Sequence, residues 1–430
     1  MADDNLTQGR IFRFWLPLAA TWLMMAVEGP FLAAVIARLG EPVYNLAAYG
    51  VAYSLALVVE APVIMLMSAA TALARNRVSY LRLRNFTHAI NAAVTLAMLL
   101  TLVPSIFNWL ARDLIGLPPE VASRTHVALL ILLPWPATIG FRRLYQGVLI
   151  RHGLTRRVAY GTVSRLAAMF GTAFLLARFT NVEGAWVGAA ALTMGVSCEA
   201  AVSRLMATGA LRTLLETPGE ATGAASSYAA LSRFYYPLAL TTLLSLGIHP
   251  VVTFFVGNSR AALESLAVLP VVSALVFIFR SFGLAYQEVV IALIGDDGQH
   301  YRAVRHFGLM LSLAVVGGLS LIAWTPLSDF WFRTVSGLTD ELTRFALTPT
   351  RILAVIPGLT ALLSFQRAIL VVRGTTNAIT MATVIEVVGV VFVMWLAITQ
   401  FDAVGAVAAA AALLIGRIGA NVYLVPTLRT

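Results

Sequence analysis

Apolar runs of about 20 residues recur from one end of this chain to the other. A helix of about 20 apolar residues spans the hydrocarbon core of a bilayer, because each residue adds 1.5 Å. A membrane β-strand is about half as long and alternates apolar with polar residues. Inside a bilayer every backbone polar group needs a partner within the protein, which a helix provides. The sequence therefore predicts an all-α polytopic membrane protein.

The runs predict twelve transmembrane helices, six in each half of the chain. Their approximate bounds are 11–37, 46–73, 87–110, 125–150, 158–180, 185–207, 232–257, 263–293, 306–330, 345–370, 377–400 and 402–425. Composition agrees with this class, since hydrophobic residues make up 59% of the chain and charged residues only 12%. A soluble domain has about twice that charged fraction.

The two halves of the chain repeat the same features about 220 positions apart. Arg-Phe-Trp-Leu-Pro-Leu-Ala at 13–19 recurs as Arg-Phe-Tyr-Tyr-Pro-Leu-Ala at 233–239. Further matches follow in the same order: Pro30 with Pro250, Pro104 with Pro326, Gly116 with Gly337, Glu120 with Glu341 and Gly184 with Gly405. Many transporters consist of two such repeats around a substrate site. We therefore predict a two-lobe fold with an N-terminal six-helix lobe at 1–207, a cytoplasmic linker at 208–231 and a C-terminal six-helix lobe at 232–430.

Basic residues concentrate in alternate loops between the predicted spans. Arg75 and Arg77 follow the second span, and Arg156 and Arg157 follow the fourth, whereas the intervening loops mix both signs of charge. Because loops rich in arginine stay in the cytoplasm, we expect a multi-pass protein of the inner (plasma) membrane with both termini cytoplasmic. The net charge of +10 thus reflects membrane topology, and we expect the lipid bilayer and no nucleic acid as a partner.

The sequence shows no pattern typical of a catalytic or cofactor site. Its six histidines lack metal-ligand spacing, and Cys198, the single cysteine, cannot form an intramolecular disulfide. No glycine-rich phosphate loop precedes a Lys-Ser/Thr pair. We therefore expect no catalytic residues, no cofactor and no metal, and a monomeric protein that is not an enzyme.

Ionisable residues also occur inside the predicted spans, where each costs a few kcal/mol or more and usually faces a polar interior. Arginines outnumber glutamates among them, so an aqueous cavity that they line carries net positive charge. The arginine fork binds carboxylate and phosphate, which favours an anionic substrate. The predicted substrate-binding residues are Arg143, Arg280, Arg351 and Arg367. The predicted ion-coupling or gating residues are Glu28, Glu60, Glu288, His249, Arg165 and Glu386.

Two of these charges change sign between the halves. Glu60 corresponds to Arg280 at an offset of 220, and Arg165 corresponds to Glu386 at an offset of 221. Equivalent positions on two lobes can face each other across a cleft, so we predict that Glu60 and Arg280 form a gate or contact the substrate. Arg165 and Glu386 can face each other across the cleft in the same way. The alternative is that each charge pairs within its own lobe and holds helices together.

Several segments carry a family resemblance and are spread over most of the chain. They are Leu-Ala-Ala-Tyr-Gly-Val-Ala-Tyr-Ser-Leu at 46–55, Gly-Val-Leu-Ile-Arg-His at 147–152, Phe-Tyr-Tyr-Pro-Leu-Ala-Leu at 234–240, and Pro-Thr-Arg-Ile at 349–352 followed by Pro357. The chain resembles the progressive ankylosis (ANK) protein family, within the multidrug/oligosaccharidyl-lipid/polysaccharide (MOP) flippase superfamily that includes the MATE exporters.

The resemblance implies a twelve-helix, two-lobe transporter with a central cavity. It also implies export of small anions such as pyrophosphate, nucleotides or citrate-like carboxylates. Arg351, Arg367 and Glu288 stand at positions that the family shares, and Glu28 falls close to an acidic position in the family's first helix. Glu60 stands where the family has a neutral residue.

These features predict a secondary-active or facilitative transporter, which moves a small organic or phosphate-type anion by alternating access between two lobes. Antiport against a coupling proton or sodium ion fits the buried carboxylates. One alternative is a MATE-like proton- or sodium-coupled multidrug exporter, which needs acidic cavity walls. A second is a lipid-linked flippase. A third is a membrane scaffold or sensor, in which neutralising the buried charges changes only stability.

Overall fold

The computed structural model describes residues 6–294, 298–372 and 377–427. In the first half of the chain the helices are α1 (Gln8–Ala26), α2 (Glu28–Ala37), α3 (Pro42–Ile64), α4 (Leu66–Leu73), α5 (Arg77–Leu102), α6 (Pro104–Asn108), α7 (Pro119–Ile131), α8 (Trp135–Arg151), α9 (Thr155–Phe179), α10 (Gly184–Met206) and α11 (Thr208–Glu216). In the second half they are α12 (Tyr228–Gly257), α13 (Ala262–Leu293), α14 (Tyr301–Trp324), α15 (Leu327–Asp329), α16 (Asp340–Leu353), α17 (Ile356–Val372), α18 (Asn377–Thr399) and α19 (Gly405–Thr427). Single helices or consecutive helix pairs give twelve segments long and apolar enough to cross a membrane, which confirms the predicted fold class.

Some helices begin earlier than the apolar pattern predicts. α5 begins at Arg77 rather than near residue 87, because Asn76 and Ser79 form a capping box at its start. The Ser79 backbone N–H donates to the Asn76 side chain at 2.9 Å, and the Asn76 backbone N–H donates to the Ser79 hydroxyl at 3.0 Å. Arg82 and Arg84 therefore lie on the helix and not in a loop. Likewise, α11 occupies the start of the predicted linker.

Proline accounts for two of the breaks that divide long spans into helix pairs. α1 ends at Ala26, four residues before Pro30, and α16 ends at Leu353, four residues before Pro357. A proline lacks the N–H that would bond to the carbonyl four residues earlier, and its ring collides with that carbonyl. Each proline thus ends the regular helix at the residue whose carbonyl it leaves without a donor.

Packing divides the chain into two compact units. The first-half unit is Leu39–Phe254, and the second-half unit is Met1–Arg38 together with Phe255–Thr430. This division differs from the predicted lobes 1–207 and 232–430, which follow the sequence repeat. α1 and α2 belong to the second-half unit, and most of α12 belongs to the first-half unit.

Specific contacts fix these two exchanged segments. In the second-half unit, Trp15 of α1 donates its indole N–H to the Phe282 carbonyl at 3.2 Å, and its ring packs against Phe282 and Phe307. In the first-half unit, the Tyr235 hydroxyl of α12 donates to the Pro62 carbonyl. Each ring buries apolar area, and the hydrogen bond from its polar end fixes its orientation. The contacts are therefore specific.

Local backbone features recur in the two halves at the spacing of the sequence repeat. One π-helical turn covers Trp109–Leu114 and another covers Phe330–Val335. Each precedes a glycine with a positive φ, which is 78° at Gly116 and 75° at Gly337. Such angles are accessible to glycine at little cost. The recurrence is what two copies of one structural unit would produce.

The starts of equivalent helices are also held in the same way. The Ala185 N–H of α10 donates to the Asn45 side-chain oxygen of α3 at 3.0 Å, and the Ala406 N–H of α19 donates to the Ser265 hydroxyl of α13 at 3.0 Å. Each bond satisfies one of the N–H groups that a helix start leaves unpaired. Asn45 and Ser265 are 220 positions apart in the sequence.

A polar cluster reinforces this helix start in the first-half unit. The Glu183 carboxylate accepts from the Asn45 amide at 3.0 Å and pairs with Arg124 at 3.2 Å. Burial by itself raises the pKa of Glu183, but the hydrogen bonds from Asn45 and Arg124 outweigh it and hold the pKa below its ordinary value. Glu183 is therefore ionised at neutral pH, and it joins the starts of α3 and α10 to α7.

Gly147 marks a close helix crossing that gives a test of the packing. A Cβ at this position of α8 would lie 2.5 Å from the Ala70 Cβ and 2.5 Å from the Met67 carbonyl oxygen. We expect Gly147→Ala to lower the free energy of unfolding by about 1–3 kcal/mol, since α4 and α8 must separate. Thermal unfolding of the purified protein in detergent measures this change.

The matched control is Gly171→Ala in α9, where nothing lies within 4 Å of the added Cβ. Alanine has the higher helix propensity, so this variant should be as stable as the parent or slightly more so. Equal melting temperatures for the two variants would contradict the packing of α4 against α8.

Candidate functional site: a buried charge cluster in each unit

Glu199 of α10 is the centre of a buried charge cluster in the first-half unit. Only 2% of its side chain is exposed. Arg142 of α8 donates to it at 2.5 Å, the Gln146 amide donates at 3.0 Å, and Arg165 of α9 pairs with it at 3.7 Å. Arg142 and Gln146 are four residues apart and therefore share one face of α8. Two guanidinium groups and an amide thus neutralise one carboxylate.

Glu60 and Arg143 extend this cluster. Glu60 of α3 is buried, and within the described ranges its Oε2 atom has no hydrogen-bond partner. It interacts electrostatically with Arg142, Arg143 and Arg165. The Arg143 Nη1 atom faces the Met67 sulfur at 3.7 Å, and a thioether is a weak acceptor. The first-half cluster thus holds three arginines and two glutamates.

Four helices of the second-half unit contribute a second cluster. Glu386 of α18 accepts with its Oε1 atom from Arg417 of α19, at 2.8 Å from Nε and 2.7 Å from Nη2. The Arg417 Nη1 atom donates to the Thr360 hydroxyl of α17 at 3.1 Å. Arg367 of α17 donates to the Thr383 hydroxyl of α18 at 3.1 Å. Both threonines therefore position guanidinium groups around one carboxylate.

Arg280 of α13 completes the second-half cluster without an acceptor of its own. It interacts electrostatically with Arg367, Arg417 and Glu386. Among the residues that the structure describes, no hydrogen bond or ion pair engages its half-buried side chain. It lies 13 residues before the end of α13 at Leu293, which is about 20 Å along the helix. A charge at this depth is costly unless water or a counter-ion meets it.

The two clusters occupy equivalent helices of the repeat. α3, α8, α9 and α10 provide the first, and α13, α17, α18 and α19 provide the second. A close glycine contact sets the register of each last pair, since a Cβ at Gly195 would lie 3.1 Å from the Arg165 carbonyl and one at Gly416 would lie 2.7 Å from the Glu386 carbonyl. Glu60, Arg143 and Arg165 correspond to Arg280, Arg367 and Glu386, whereas Glu199 and Arg417 correspond to Ala420 and Val196. The charges are thus redistributed, with one carboxylate for three guanidinium groups in the second cluster.

Comparison with known proteins assigns the sequence to a family. The model of the progressive ankylosis protein (ANKH) family matches residues 5–281. The chain belongs to the progressive ankylosis protein family. A comparison with curated proteins finds no match.

Solved structures show which fold this member of the progressive ankylosis family has. A MATE family multidrug resistance transporter of the MOP superfamily, in an inward-facing conformation, superposes with a TM-score of 0.75 at 15% identity, covering 95% of this chain and 94% of that one. The lipid II flippase MurJ gives 0.73 at 15% identity, with 96% and 88% covered. A MOP superfamily transporter from Pyrococcus furiosus gives 0.61 at 14% identity, with 97% and 94% covered. The chain therefore has the fold of these MATE and MOP superfamily transporters.

The structure brings only some of the predicted site residues together. Arg165 and Glu386 each have an ion-pair partner within their own unit, as the alternative interpretation of these charges expects. Glu60 and Arg280 likewise interact with charges of their own units, and a contact between the two stays a prediction. Arg143 belongs to the first-half cluster.

Arg351 lies apart from the arginines with which it was grouped. Its side chain is exposed on α16, its Nε donates to the Ala323 carbonyl at 3.1 Å, and its guanidinium lies 4.9 Å from the centre of the Trp324 ring. These contacts hold it against the end of α14. Arg351 is therefore not among the charges that act on Arg280 or Arg367.

The three remaining predicted residues are Glu28, Glu288 and His249. Glu28 is buried at the start of α2, whereas Glu288 on α13 and His249 on α12 are exposed. Within the described residues, no group of three or more His, Cys, Asp or Glu side chains is arranged to hold a metal ion.

The site predictions omit Arg142, Gln146, Glu199, Thr360, Thr383 and Arg417, which complete the two clusters. The spacing of Arg142 and Gln146 on one helix face was a usable signal. The pairing of Arg417 with Glu386 depends on the register of α18 against α19, which no local pattern specifies.

The two clusters predict different costs for the same substitution. Glu199→Gln leaves two guanidinium groups facing an amide in a closed site, and breaking a buried pair of this kind costs about 3–5 kcal/mol. Glu386→Gln affects one arginine at a site where both side chains are 12% exposed. We therefore expect a clearly lower melting temperature for Glu199→Gln than for Glu386→Gln, measured in the same detergent. An equal or larger loss in Glu386→Gln would contradict the assigned pairing.

Proposed function

We propose that this protein transports a small multivalent anion, such as a phosphate-type or carboxylate substrate, by alternating access. The observation that carries the proposal is Arg280, a membrane-embedded guanidinium group without an acceptor among the described residues. The fold shared with MOP superfamily transporters supports a transport role, and the positive charge of the site supports an anionic substrate. Arg280 and Arg367 bind the substrate, and Arg143 contributes from the first-half cluster.

Charge balance supports an anionic substrate. The second-half cluster has three arginines and one glutamate, and the first-half cluster has three arginines and two glutamates. Arginine stays protonated even where burial is unfavourable, so both clusters keep an excess of positive charge. An anion that enters such a site replaces the lost hydration of the guanidinium groups with charge-assisted hydrogen bonds.

Glu60 is the best-placed group for coupling. Its Oε2 atom has no hydrogen-bond partner among the described residues although three arginines act on it. A carboxylate in this position can exchange a proton with a water-filled path when the arginines engage a substrate. We propose proton-coupled antiport on this basis, with export as the direction, in the inner membrane and with both termini in the cytoplasm.

A cation-selective multidrug exporter is the second candidate, because one superposed structure is a MATE family transporter. That function needs acidic walls, which the arginine excess does not provide. The Pyrococcus furiosus transporter is described as having a binding pocket of reverse polarity that suggests a different function, so the fold is compatible with more than one pocket polarity. A lipid-linked flippase is the third candidate, because MurJ also shares the fold.

Uptake into proteoliposomes tests the proposed function. We expect Arg280→Gln and Arg367→Gln each to reduce uptake of labelled pyrophosphate, ATP or citrate by about tenfold or more, since each variant removes a charged hydrogen-bond donor. The matched control is Arg305→Gln, which removes one exposed arginine of the same unit and should leave uptake unchanged. Uptake at the parent rate in folded Arg280→Gln would remove Arg280 from the site.

A further inference from the structure

The ion pair in the second-half cluster has the geometry of a bound oxyanion. One Glu386 oxygen accepts from both Nε and Nη2 of Arg417, at 2.8 and 2.7 Å. This side of the guanidinium group is one that phosphate and carboxylate ligands use, because two parallel N–H groups point the same way. Arg417 is thus already in position for an external oxyanion. The Glu386 carboxylate occupies its Nε and Nη2 atoms, which we call the Arg417 fork.

The central carboxylate of the first-half cluster is held much more firmly. Glu199 accepts from Arg142 and Gln146 and pairs with Arg165, and only 2% of its side chain is exposed. Glu386 has Arg417 as its ion-pair partner among the described residues, and 12% of its side chain is exposed. Fewer partners and greater access make Glu386 the carboxylate that a ligand can displace.

The positive charges around Glu386 are only partly compensated by the protein. Arg280 has no hydrogen-bond acceptor among the described residues, and Arg367 has one neutral acceptor, the Thr383 hydroxyl. The Nε atoms of both arginines are buried without a hydrogen-bond partner within the described ranges. With Arg417 and Glu386 the cluster has a formal charge of +2, from three arginines and one glutamate. A doubly charged oxyanion would balance this charge, whereas a halide would balance half of it.

We propose that Arg280, Arg367 and Arg417 form one oxyanion-binding site inside the second-half unit, and that Glu386 occupies the Arg417 fork until the anion displaces it. The inference rests on the proposed function and adds a third binding arginine and an internal competitor to it. The ligand is a doubly charged tetrahedral or carboxylate oxyanion group. Its Arg417-bound oxygen takes the place of the Glu386 Oε1 atom, and the Glu386 side chain moves away without any covalent change.

The test is calorimetric titration of the full-length protein in a neutral detergent with inorganic phosphate and with sulfate. Glu386→Gln removes the competitor, and we expect it to bind either anion about tenfold more tightly than the parent, the size of one charged hydrogen bond. The double variant Glu386→Gln/Arg417→Gln replaces both charged side chains with amides and so removes the Arg417 guanidinium group. It should therefore bind either anion no more tightly than the parent. Arg305→Gln is the control and should bind like the parent. Chloride should bind more weakly than sulfate in every variant.

Several results would overturn the inference. Equal affinities in Glu386→Gln and the double variant would exclude Arg417 from the site, and weaker binding in Glu386→Gln would exclude competition by Glu386. If Arg280→Gln abolished binding while Glu386→Gln bound no more tightly than the parent, the proposed function would stand and this inference would fall. If the parent and all variants bound neither anion, both would fall.

A second set of titrations identifies the source of the oxyanion group. Phosphatidic acid in mixed micelles presents the same phosphate chemistry on a lipid. Competition between phosphatidic acid and sulfate in Glu386→Gln, weaker in the double variant, would support the site and assign a lipid headgroup to it. Sulfate binding that phosphatidic acid does not affect would support the site with a soluble anion. Circular dichroism of each variant confirms that a loss of binding is not a loss of folding.

Discussion

The cost of placing a charge inside a bilayer governs the interior of this protein. An arginine at membrane depth needs a carboxylate, a polar acceptor, water or a ligand. In the first-half unit that need is largely met, because Glu199 is enclosed by Arg142, Gln146 and Arg165. In the second-half unit it is only partly met, and Arg280 has no acceptor among the described residues. The difference between one closed and one incomplete cluster is the basis of the proposed preference for an anion.

Duplication explains how such an asymmetry arises on a symmetric framework. Helix starts, π-helical turns and glycine contacts recur about 220 positions apart, so the two units place three charged side chains of each cluster at equivalent positions. Changing the residues at those positions redistributes charge without altering the backbone. Glu60 and Arg165 in one unit become Arg280 and Glu386 in the other. A framework with fixed positions and exchangeable charges can therefore acquire different ligands with few substitutions.

The sequence predicted the helical class, the number of spans and most of the buried charges, because span length and charge in an apolar segment are local properties. It predicted partners less well. The repeat predicts that Arg165 faces Glu386, which stays a prediction. The sequence did not predict the ion pairs of Arg165 with Glu199 and of Glu386 with Arg417, since pairing depends on the register of α9 against α10 and of α18 against α19. Arg351 has the same guanidinium group as the other arginines, but it lies beside Trp324 at the end of α14. The sequence around Arg351 does not specify where α14 ends.

The exchange of helices between the packing units has a consequence for biosynthesis. α1 leaves the ribosome before α13 and α14, whose Phe282 and Phe307 pack against Trp15. The chain from Leu39 to Phe254 is therefore inserted while Trp15 still lacks these two neighbours. A nascent chain in this state exposes that face to lipid or to an insertion factor, and the second-half unit can close around it only late in translation.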